Sequence, residues 1–197
     1  LGDAQMAIDL LNEQLSITRE IGDRRGEANA LSNLGQAWAS LKDYERAISS
    51  HEKSLAIARE LGDRRSEANA LGGSGLAHYR NGNAPQAIEL LECQRLLAAE
   101  IGDRRSEVSA LTNLGEAYTA TGEANRAVEL LRQAFNIASE ISDVAGQATA
   151  LFNQAVAMNT IGNRAQAMEL AQSALELFEV AEHPAAETVR RRLVEWQ

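Results

Sequence analysis

The chain has 197 residues, and its 28 acidic side chains against 19 lysines and arginines make it acidic, with a formal net charge of −9 at pH 7. One cysteine excludes a disulfide framework, and the acidic balance disfavours a broad electrostatic surface for nucleic acid or anionic lipid. Alanine and leucine predominate and β-branched residues are sparse, which predicts an all-α chain. No apolar run is long enough to span a bilayer and no charged-then-apolar start is visible, so we expect a cytoplasmic protein.

A 40-residue repeat runs along the sequence. The string Gly-Asp-Arg-Arg begins at Gly22, Gly62 and Gly102, and residues 22–61 match each of the next two blocks at 16 of 40 positions. Such self-similarity is typical of repeat proteins, in which each unit buries its apolar face against its neighbours. We therefore read residues 1–197 as a single array, with a half repeat 1–21, full repeats 22–61, 62–101, 102–141 and 142–181, and a half repeat or capping helix 182–197.

The first full repeat shows the two helices expected in each unit. Asp23 is placed as an N-cap, and the apolar residues after it have the i, i+3, i+4 spacing of a helix that ends near residue 41. These residues are Ala28, Leu31, Leu34, Gly35 and Trp38. Asp43 then caps a second helix, which ends at Gly62. Its apolar face carries Ala47, Ile48, His51, Leu55 and Ala58.

The later repeats vary this pattern at the helix ends and in one helix interior. Gly82, Gly122 and Gly162 mark the end of the first helix, because glycine accepts the left-handed conformation that follows a helix. Lys42 stands at this position in the first repeat, so we expect a less regular turn there. The stretch 72–75, Gly-Gly-Ser-Gly, lacks the lysine of a phosphate-binding loop and lies within a predicted helix.

The two ends of the chain each correspond to half a repeat. Residues 3–21 align with a second helix alone, and residues 182–197 align with the start of a first helix. The chain begins with Leu1 rather than methionine, and we infer a piece of a longer protein. Arg191 replaces the apolar Leu31 of the first repeat, as suits a terminal helix, and Trp196 is expected to be exposed there.

The pattern Leu31-x-x-Leu34-Gly35-x-x-Trp38, followed by Ala47, resembles the tetratricopeptide repeat. It is most similar to the 40-residue variety of the Pins/LGN group and of many bacterial repeat proteins. The resemblance covers essentially the whole chain. It implies a right-handed superhelix, a solenoid of antiparallel helix hairpins, with a concave groove lined by the first helix of each repeat.

Asparagines recur at one position that faces the groove in relatives holding extended peptides. This position lies two residues before the glycine of the Leu-Gly pair, and it holds Asn33, Asn113 and Asn153, with Gly73 in the second repeat. An asparagine amide can donate to and accept from a peptide backbone at once. Adjacent positions predicted to bind a partner hold Asn29, Ser32, Gln36, Asn69, Tyr79, Arg80, Thr112, Glu116 and Asn159. The structural alternative is a solvated polar face, with the asparagines bonded to the neighbouring helix.

Arginine pairs form a second recurring polar feature. They stand at residues 24–25, 64–65 and 104–105, each beside acidic residues. Alternating charges at short range favour surface ion pairs between neighbouring elements. The alternative is a row of arginines that meets acidic segments of a partner.

No catalytic constellation is visible in the sequence. His51, His78 and His183 occupy different repeat positions without the spacing of metal ligands. Cys93 is predicted to lie on an exposed helix face beside glutamates, which do not activate a thiol. We therefore predict no enzymatic activity, no cofactor and no metal site.

These observations favour a non-catalytic interaction scaffold of a signalling or regulatory protein. Its predicted partner is a protein or peptide bound in the concave groove, and not nucleic acid or a membrane. The family's lysine-rich carboxylate clamp is not expected, because the position of its first lysine holds Ser32, Thr112 and Phe152. Two alternatives remain open: self-association through exposed ends, and the sensor arm of a multidomain NTPase, protease or transcriptional regulator.

Overall fold

A computed structural model describes residues 2–196, with side chains from Gln5 onwards. Within this range there are ten α-helices and no strand, which confirms the predicted all-α class. In chain order they are α1 (Gly2–Glu20), α2 (Arg24–Ser40), α3 (Tyr44–Leu61), α4 (Arg64–Arg80), α5 (Ala84–Glu100), α6 (Arg104–Ala120), α7 (Ala124–Glu140), α8 (Val144–Thr160), α9 (Arg164–Val180) and α10 (Ala185–Glu195).

The helices form two compact units, α1–α5 and α6–α10, divided between Asp103 and Arg104. In the first unit each helix packs against the next one, and α2 also contacts α4. The second unit repeats this arrangement, with α6 in contact with α8. Connections of two to four residues within each unit force consecutive helices into antiparallel hairpins. In the described part of the chain, no helix is both long and apolar enough to cross a bilayer.

The predicted caps delimit the helices. The carboxylates of Asp23 and Asp43 accept hydrogen bonds from the backbone amides of Gly26 (2.9 Å) and Arg46 (3.1 Å). The side chain of Asn83 accepts one from the Gln86 amide in the same way. Each cap satisfies an amide that the helix leaves without an intrahelical partner, so local sequence alone places these helix starts.

The turn at Lys42 is regular, contrary to the expectation from the sequence. Lys42 has a φ of 62°, in the left-handed region occupied by Gly82 at 83°. Both turns close with the same backbone hydrogen bond, from Asp43 to Trp38 at 3.0 Å and from Asn83 to His78 at 2.9 Å. The turn therefore holds a lysine in a conformation that its Cβ disfavours.

Replacing Lys42 with glycine should raise the free energy of unfolding by about 1 kcal/mol, because glycine adopts positive φ without the steric cost. Lys42→Ala is the matched control, since it removes the same charge and keeps a Cβ at this φ. Urea unfolding of both variants measures the difference. Equal stability of the two variants would show that the backbone conformation at residue 42 costs nothing.

In three of the hairpins a glycine on the first helix packs against a larger side chain on the second. A Cβ added at Gly75 would lie 2.8 Å from the Leu91 side chain, and one at Gly115 would lie 2.5 Å from that of Leu131. At Gly35 the opposing side chain is His51, at 2.5 Å. These positions need glycine because the opposing side chain occupies the space of a methyl group.

The glycine-rich stretch of α4 follows from the same packing. A Cβ at Gly72 would lie 2.4 Å from the side-chain amide of Gln94, and one at Gly73 would lie 2.4 Å from the imidazole of His51. Polar side chains from α3 and α5 therefore pack directly against the α4 backbone. The helix remains continuous from Arg64 to Arg80 through this stretch.

Trp196 is buried, with 7% of its surface exposed, and the expectation of an exposed ring is wrong. Its backbone carbonyl accepts a hydrogen bond from Nε of Arg164 at the start of α9. Val194, two residues earlier, is instead 69% exposed. At the end of α10 the Trp196 indole is therefore buried, and the smaller side chain of Val194 lies in solvent.

Candidate binding surfaces on the first helices

The predicted partner-binding residues lie on α2 and α4 of the first unit and on α6 and α8 of the second. We call these four helices the first helices, since each begins a hairpin. In the first unit Asn29, Asn33 and Gln36 of α2 and Asn69 and Arg80 of α4 are exposed, while Ser32 and Tyr79 are half-buried. In the second unit Thr112 is buried, and Asn113, Glu116, Asn153 and Asn159 are half-buried.

A pocket of about 400 Å³ opens between α2 and α4. It brings together Gln36 and Arg80 from the predicted set, and the other members on these two helices lie outside it. The remaining lining residues are Ala39, Ser40, Lys42, Tyr44, His51, Gly73, Leu76 and Ala77. The volume falls in the range of ordinary ligand sites in proteins.

His51 of α3 forms part of this pocket and was not predicted from the sequence as a site residue. Its side chain is 2% exposed, and no hydrogen-bond partner reaches its Nδ1 from the described part of the chain. Burial lowers the pKa of the imidazole to about 4, because a charged ring would lose its hydration there. The ring is therefore neutral at pH 7.

His51 departs from the repeat pattern in the sequence, but only the structure shows which residue lies opposite its side chain. Its position holds Leu11, Leu91 and Leu131 in other repeats, and the asparagine position opposite it holds Gly73. The two departures from the pattern are one feature, because the imidazole fills the space that a larger residue at position 73 would need.

A smaller pocket of about 240 Å³ lies between α6 and α8, lined by Arg105, Val108, Ser109, Thr112, Asn113, Asp143, Gly146 and Thr149. It brings together Thr112 and Asn113 from the predicted set. The Thr112 hydroxyl donates to the Val108 carbonyl of its own helix (2.7 Å), and that of Thr149 donates to Ala145 (2.8 Å). These hydroxyl hydrogens are engaged, and Oδ1 of Asp143 accepts a hydrogen bond from the Gly146 amide (2.9 Å). The other polar side chains that line the pocket are those of Asn113, Ser109 and Arg105.

Asn153 has a structural role in addition to its predicted one. Its side-chain amide donates a hydrogen bond of 3.1 Å to a carboxylate oxygen of Glu116, which joins α8 to α6. This contact corresponds to the structural alternative for the asparagines. Asn153 and Glu116 can present only the rest of their hydrogen-bonding capacity to a partner.

The arginine pairs form the predicted ion pairs. Arg24 contacts Glu27 on its own helix and Glu60 of α3, both at 2.5 Å. A hydrogen bond from Arg19 at the end of α1, followed by one from Arg24, lowers the pKa of Glu27. Arg64 and Arg104 make the same two contacts as Arg24, at the starts of α4 and α6. These ion pairs join the starts of α2, α4 and α6 to the ends of α3, α5 and α7, as surface pairs of small individual energy.

No group of three or more metal-ligating side chains occurs among the residues that the structure describes. Cys93 is exposed on α5, as predicted.

Antiparallel helix pairs that recur every 40 residues define a helical-repeat protein. The model of the tetratricopeptide repeat matches residues 1–60, 38–94, 66–140 and 106–179. The chain belongs to the tetratricopeptide repeat family.

Several solved structures share this fold. A Podosopora anserina protein assigned as a kinesin light chain, with nearly identical TPR-like repeats, has a TM-score of 0.71 at 23% identity, over 89% of this chain and 87% of that one. A Rap protein complexed with Competence and Sporulation Factor has a TM-score of 0.72 at 17% identity, over 98% of this chain and 58% of that one.

A third similar structure is the STAND ATPase of Pyrococcus horikoshii with a tetratricopeptide repeat sensor. Its TM-score is 0.69 at 17% identity, over 86% of this chain and 26% of that one. No curated protein matches the sequence.

Proposed function

We propose that this chain is the partner-binding segment of a larger cytoplasmic signalling or regulatory protein, and that it holds a peptide or partner domain on its first helices without catalysing a reaction. The observation that carries the proposal is the placement of polar side chains in pockets between neighbouring first helices, Gln36 and Arg80 in one unit and Asn113 in the other. Such pockets combine apolar walls with a few polar groups, which suits an extended segment.

The similar structures are consistent with this role. The tetratricopeptide repeat is an interaction module, and the Rap protein was solved in complex with a factor that it binds. Because identity to that protein is 17%, the likeness extends to the fold and not to the ligand.

The asparagines of the second unit provide the test of the proposal. A random peptide library displayed on phage and selected on the full chain supplies peptide probes. Replacing Asn113 and Asn153 with alanine together should weaken a peptide held by both amides about fivefold or more, since each lost hydrogen bond costs about 0.5–1.5 kcal/mol. Calorimetric titration measures the affinity.

The matched control is the double replacement Asn125→Ala and Asn136→Ala, which removes two exposed amides from the second helix α7. This control should bind the selected peptides as the unchanged chain does. Affinities that respond equally to both pairs, or to neither, would refute binding through these asparagines. Thermal unfolding of both double variants verifies that they are folded.

Self-association is a second candidate, because α1 carries an exposed apolar stripe. Met6, Leu10 and Ile17 share one face of α1 and are 50–64% exposed, and Ile21, in the turn after it, is 69% exposed. An unpartnered stripe of this kind suits a helix from another copy of the chain. Light scattering over a concentration series tests this candidate, and a constant monomer mass at high concentration would exclude it.

The sensor arm of a multidomain ATPase or other regulator is the remaining candidate. The similarity to the repeat sensor of the STAND ATPase supports it at the level of fold. Sequence flanking the chain in its gene would show whether a catalytic domain accompanies it.

A further inference from the structure

Two facing residues of the pocket between α2 and α4 depart from the repeat. A Cβ added at Gly73 would lie 2.4 Å from the imidazole of His51, and both residues line the pocket. The positions corresponding to Gly73 in the other repeats hold asparagine, and those corresponding to His51 hold leucine, or alanine in the last repeat. At this place in the chain, a backbone without a side chain and a polar ring therefore replace an amide and an aliphatic side chain.

The polar edge of the imidazole faces the gap between the two first helices. A Cβ at Gly35 of α2 would lie 2.5 Å from its Nε2, and one at Gly73 of α4 would lie 2.6 Å from its Nδ1. The backbone groups of both helices are bonded within the helices, and Nδ1 has no hydrogen-bond partner in the described part of the chain. A buried polar atom without a partner costs free energy, which a ligand group of the right chemistry would recover.

The charge state of the ring decides which group that is. Burial lowers the pKa of His51 to about 4, so the imidazole is uncharged at pH 7. One ring nitrogen then carries a hydrogen and the other accepts one. A hydroxyl both donates and accepts, so it can pair with either nitrogen in either tautomer, whereas a carboxylate cannot donate and an ammonium group cannot accept. The imidazole therefore favours a hydroxyl.

The cations in the pocket wall do not require an anionic ligand. Lys42 lies beside Asp43 and Glu45, with which it also lines a second, neighbouring pocket. The guanidinium of Arg80 lies over the ring of Tyr79, with its Cζ 5.4 Å from the ring centroid, and it has a further partner in the chain. An uncharged ligand group leaves these contacts in place.

The apolar part of the wall is suited to an aromatic ring that carries the hydroxyl. Ala39, Leu76 and Ala77 contribute apolar surface, and the volume of about 400 Å³ is ample for one large side chain. A phenol combines a flat apolar body with a polar tip, so its ring can lie against these side chains while its hydroxyl reaches a buried group. Serine and threonine have the hydroxyl but not the apolar surface.

We propose that the pocket between α2 and α4 is a subsite for a tyrosine side chain of the bound peptide, with its hydroxyl hydrogen-bonded to the imidazole of His51, a proposal that rests on the proposed function. The ring packs against Ala39, Leu76 and Ala77, and the missing side chain at Gly73 leaves the approach to the imidazole open. One residue of an extended peptide would thereby be specified in the first unit.

The test uses two small probes, N-acetyl-tyrosinamide and N-acetyl-phenylalaninamide, which differ in the hydroxyl alone. Each is titrated into the full chain and followed by NMR, with the proton on Cε1 of His51 and the backbone amide of Gly73 as reporters. The tyrosine probe should shift both signals with a dissociation constant that is roughly millimolar for a ligand of this size. It should bind about fivefold tighter than the phenylalanine probe, the effect of one hydrogen bond. Equal affinities, or signals that do not move, would overturn the proposal.

His51→Leu should remove the preference for the tyrosine probe and bring the two affinities to within twofold, measured at the Gly73 amide. The matched control is His78→Leu, which removes an imidazole from α4 that does not line the pocket and should keep the fivefold preference. A preference that survives in His51→Leu, or that falls equally in both variants, would contradict the assigned hydrogen bond.

A second variant tests the pocket without relying on His51→Leu alone. Combining His51→Leu with Gly73→Asn installs the residues that other repeats already hold at these positions. Because the asparagine side chain fills the approach that the glycine leaves open, both probes should bind about tenfold more weakly or worse. Thermal unfolding verifies that each variant is folded, and undiminished binding in this double variant would place the probes elsewhere and overturn the subsite.

The peptides selected from the displayed library separate this inference from the proposed function. Enrichment of tyrosine together with weaker binding to His51→Leu supports both. Selected peptides that respond to the Asn113 and Asn153 replacements, without tyrosine enrichment and without a response to His51→Leu, would overturn the tyrosine subsite and leave the proposed function standing. A library that yields no binding peptide, while the tyrosine probe still binds beside His51, would contradict the proposed peptide binding and not the pocket's preference for a phenol.

Discussion

Gly115→Ala is expected to destabilise the second unit by about 2 kcal/mol, although glycine to alanine within a helix ordinarily stabilises. The added Cβ would lie 2.5 Å from Cγ of Leu131, which is fully buried and cannot move aside. Overpacking of this kind costs about 1–3 kcal/mol and exceeds the gain in helix propensity. Urea unfolding monitored by circular dichroism measures the change.

A double-mutant cycle tests the pairing itself. Leu131→Ala alone should cost about 3 kcal/mol through the cavity that it leaves. Gly115→Ala combined with Leu131→Ala should cost less than the sum of the single changes by at least about 1 kcal/mol, because the new methyl group enters space that the leucine vacated. The fourth hairpin already has this combination, with Ala155 and Ala171 both fully buried at the corresponding positions. Strictly additive losses would show that the two residues do not compensate each other.

Acidification should destabilise the first unit through His51, by about 2 kcal/mol between pH 7 and pH 5. The pKa of this imidazole is about 4 in the folded chain against an ordinary 6.5, because burial disfavours its charged form. Below pH 6.5 the unfolded chain binds a proton that the folded chain does not accept, so stability is complete above that pH and falls as the pH decreases towards 4. Unfolding free energies across this range, measured in urea, give the slope.

His51→Leu should remove this pH dependence. Leucine occupies the corresponding position at Leu91 and Leu131 and packs there against a glycine, as the imidazole does against Gly35. The comparison variant is His183→Gln, which removes an exposed histidine from the second unit, and the change of slope should be larger in His51→Leu than in this variant. An unaltered slope in His51→Leu would show that other groups cause the loss of stability.

Much of the fold follows from local sequence. Caps such as Asp23 and Asp43, the apolar spacing after them and turn glycines such as Gly62 determine where helices begin and end, because these effects act within a few residues. The 40-residue period then places equivalent helices against one another. The arginine pairs were interpretable for the same reason, since their acidic partners recur with them.

Local sequence and periodicity predicted only some residues of the candidate sites. Gln36 and Arg80 were predicted from their repeat positions, but Lys42 and His51, which share their pocket, were not. A single position in a repeat does not reveal which residue of another helix will oppose it. Asn153 was predicted as a binding residue, but its hydrogen bond to Glu116 could not be predicted, because that bond depends on how closely α8 approaches α6.

The sequence by itself determined the class of protein, the helix pairs, their caps and the surface of first helices on which a partner is expected. These features depend on local conformational preference and on periodicity, which a linear sequence contains. Only the tertiary structure decided that Trp196 is buried and that the His51 imidazole packs against Gly35 and Gly73. Those outcomes depend on contacts between residues distant in sequence, where the volume and charge of one side chain are set by whatever stands opposite it.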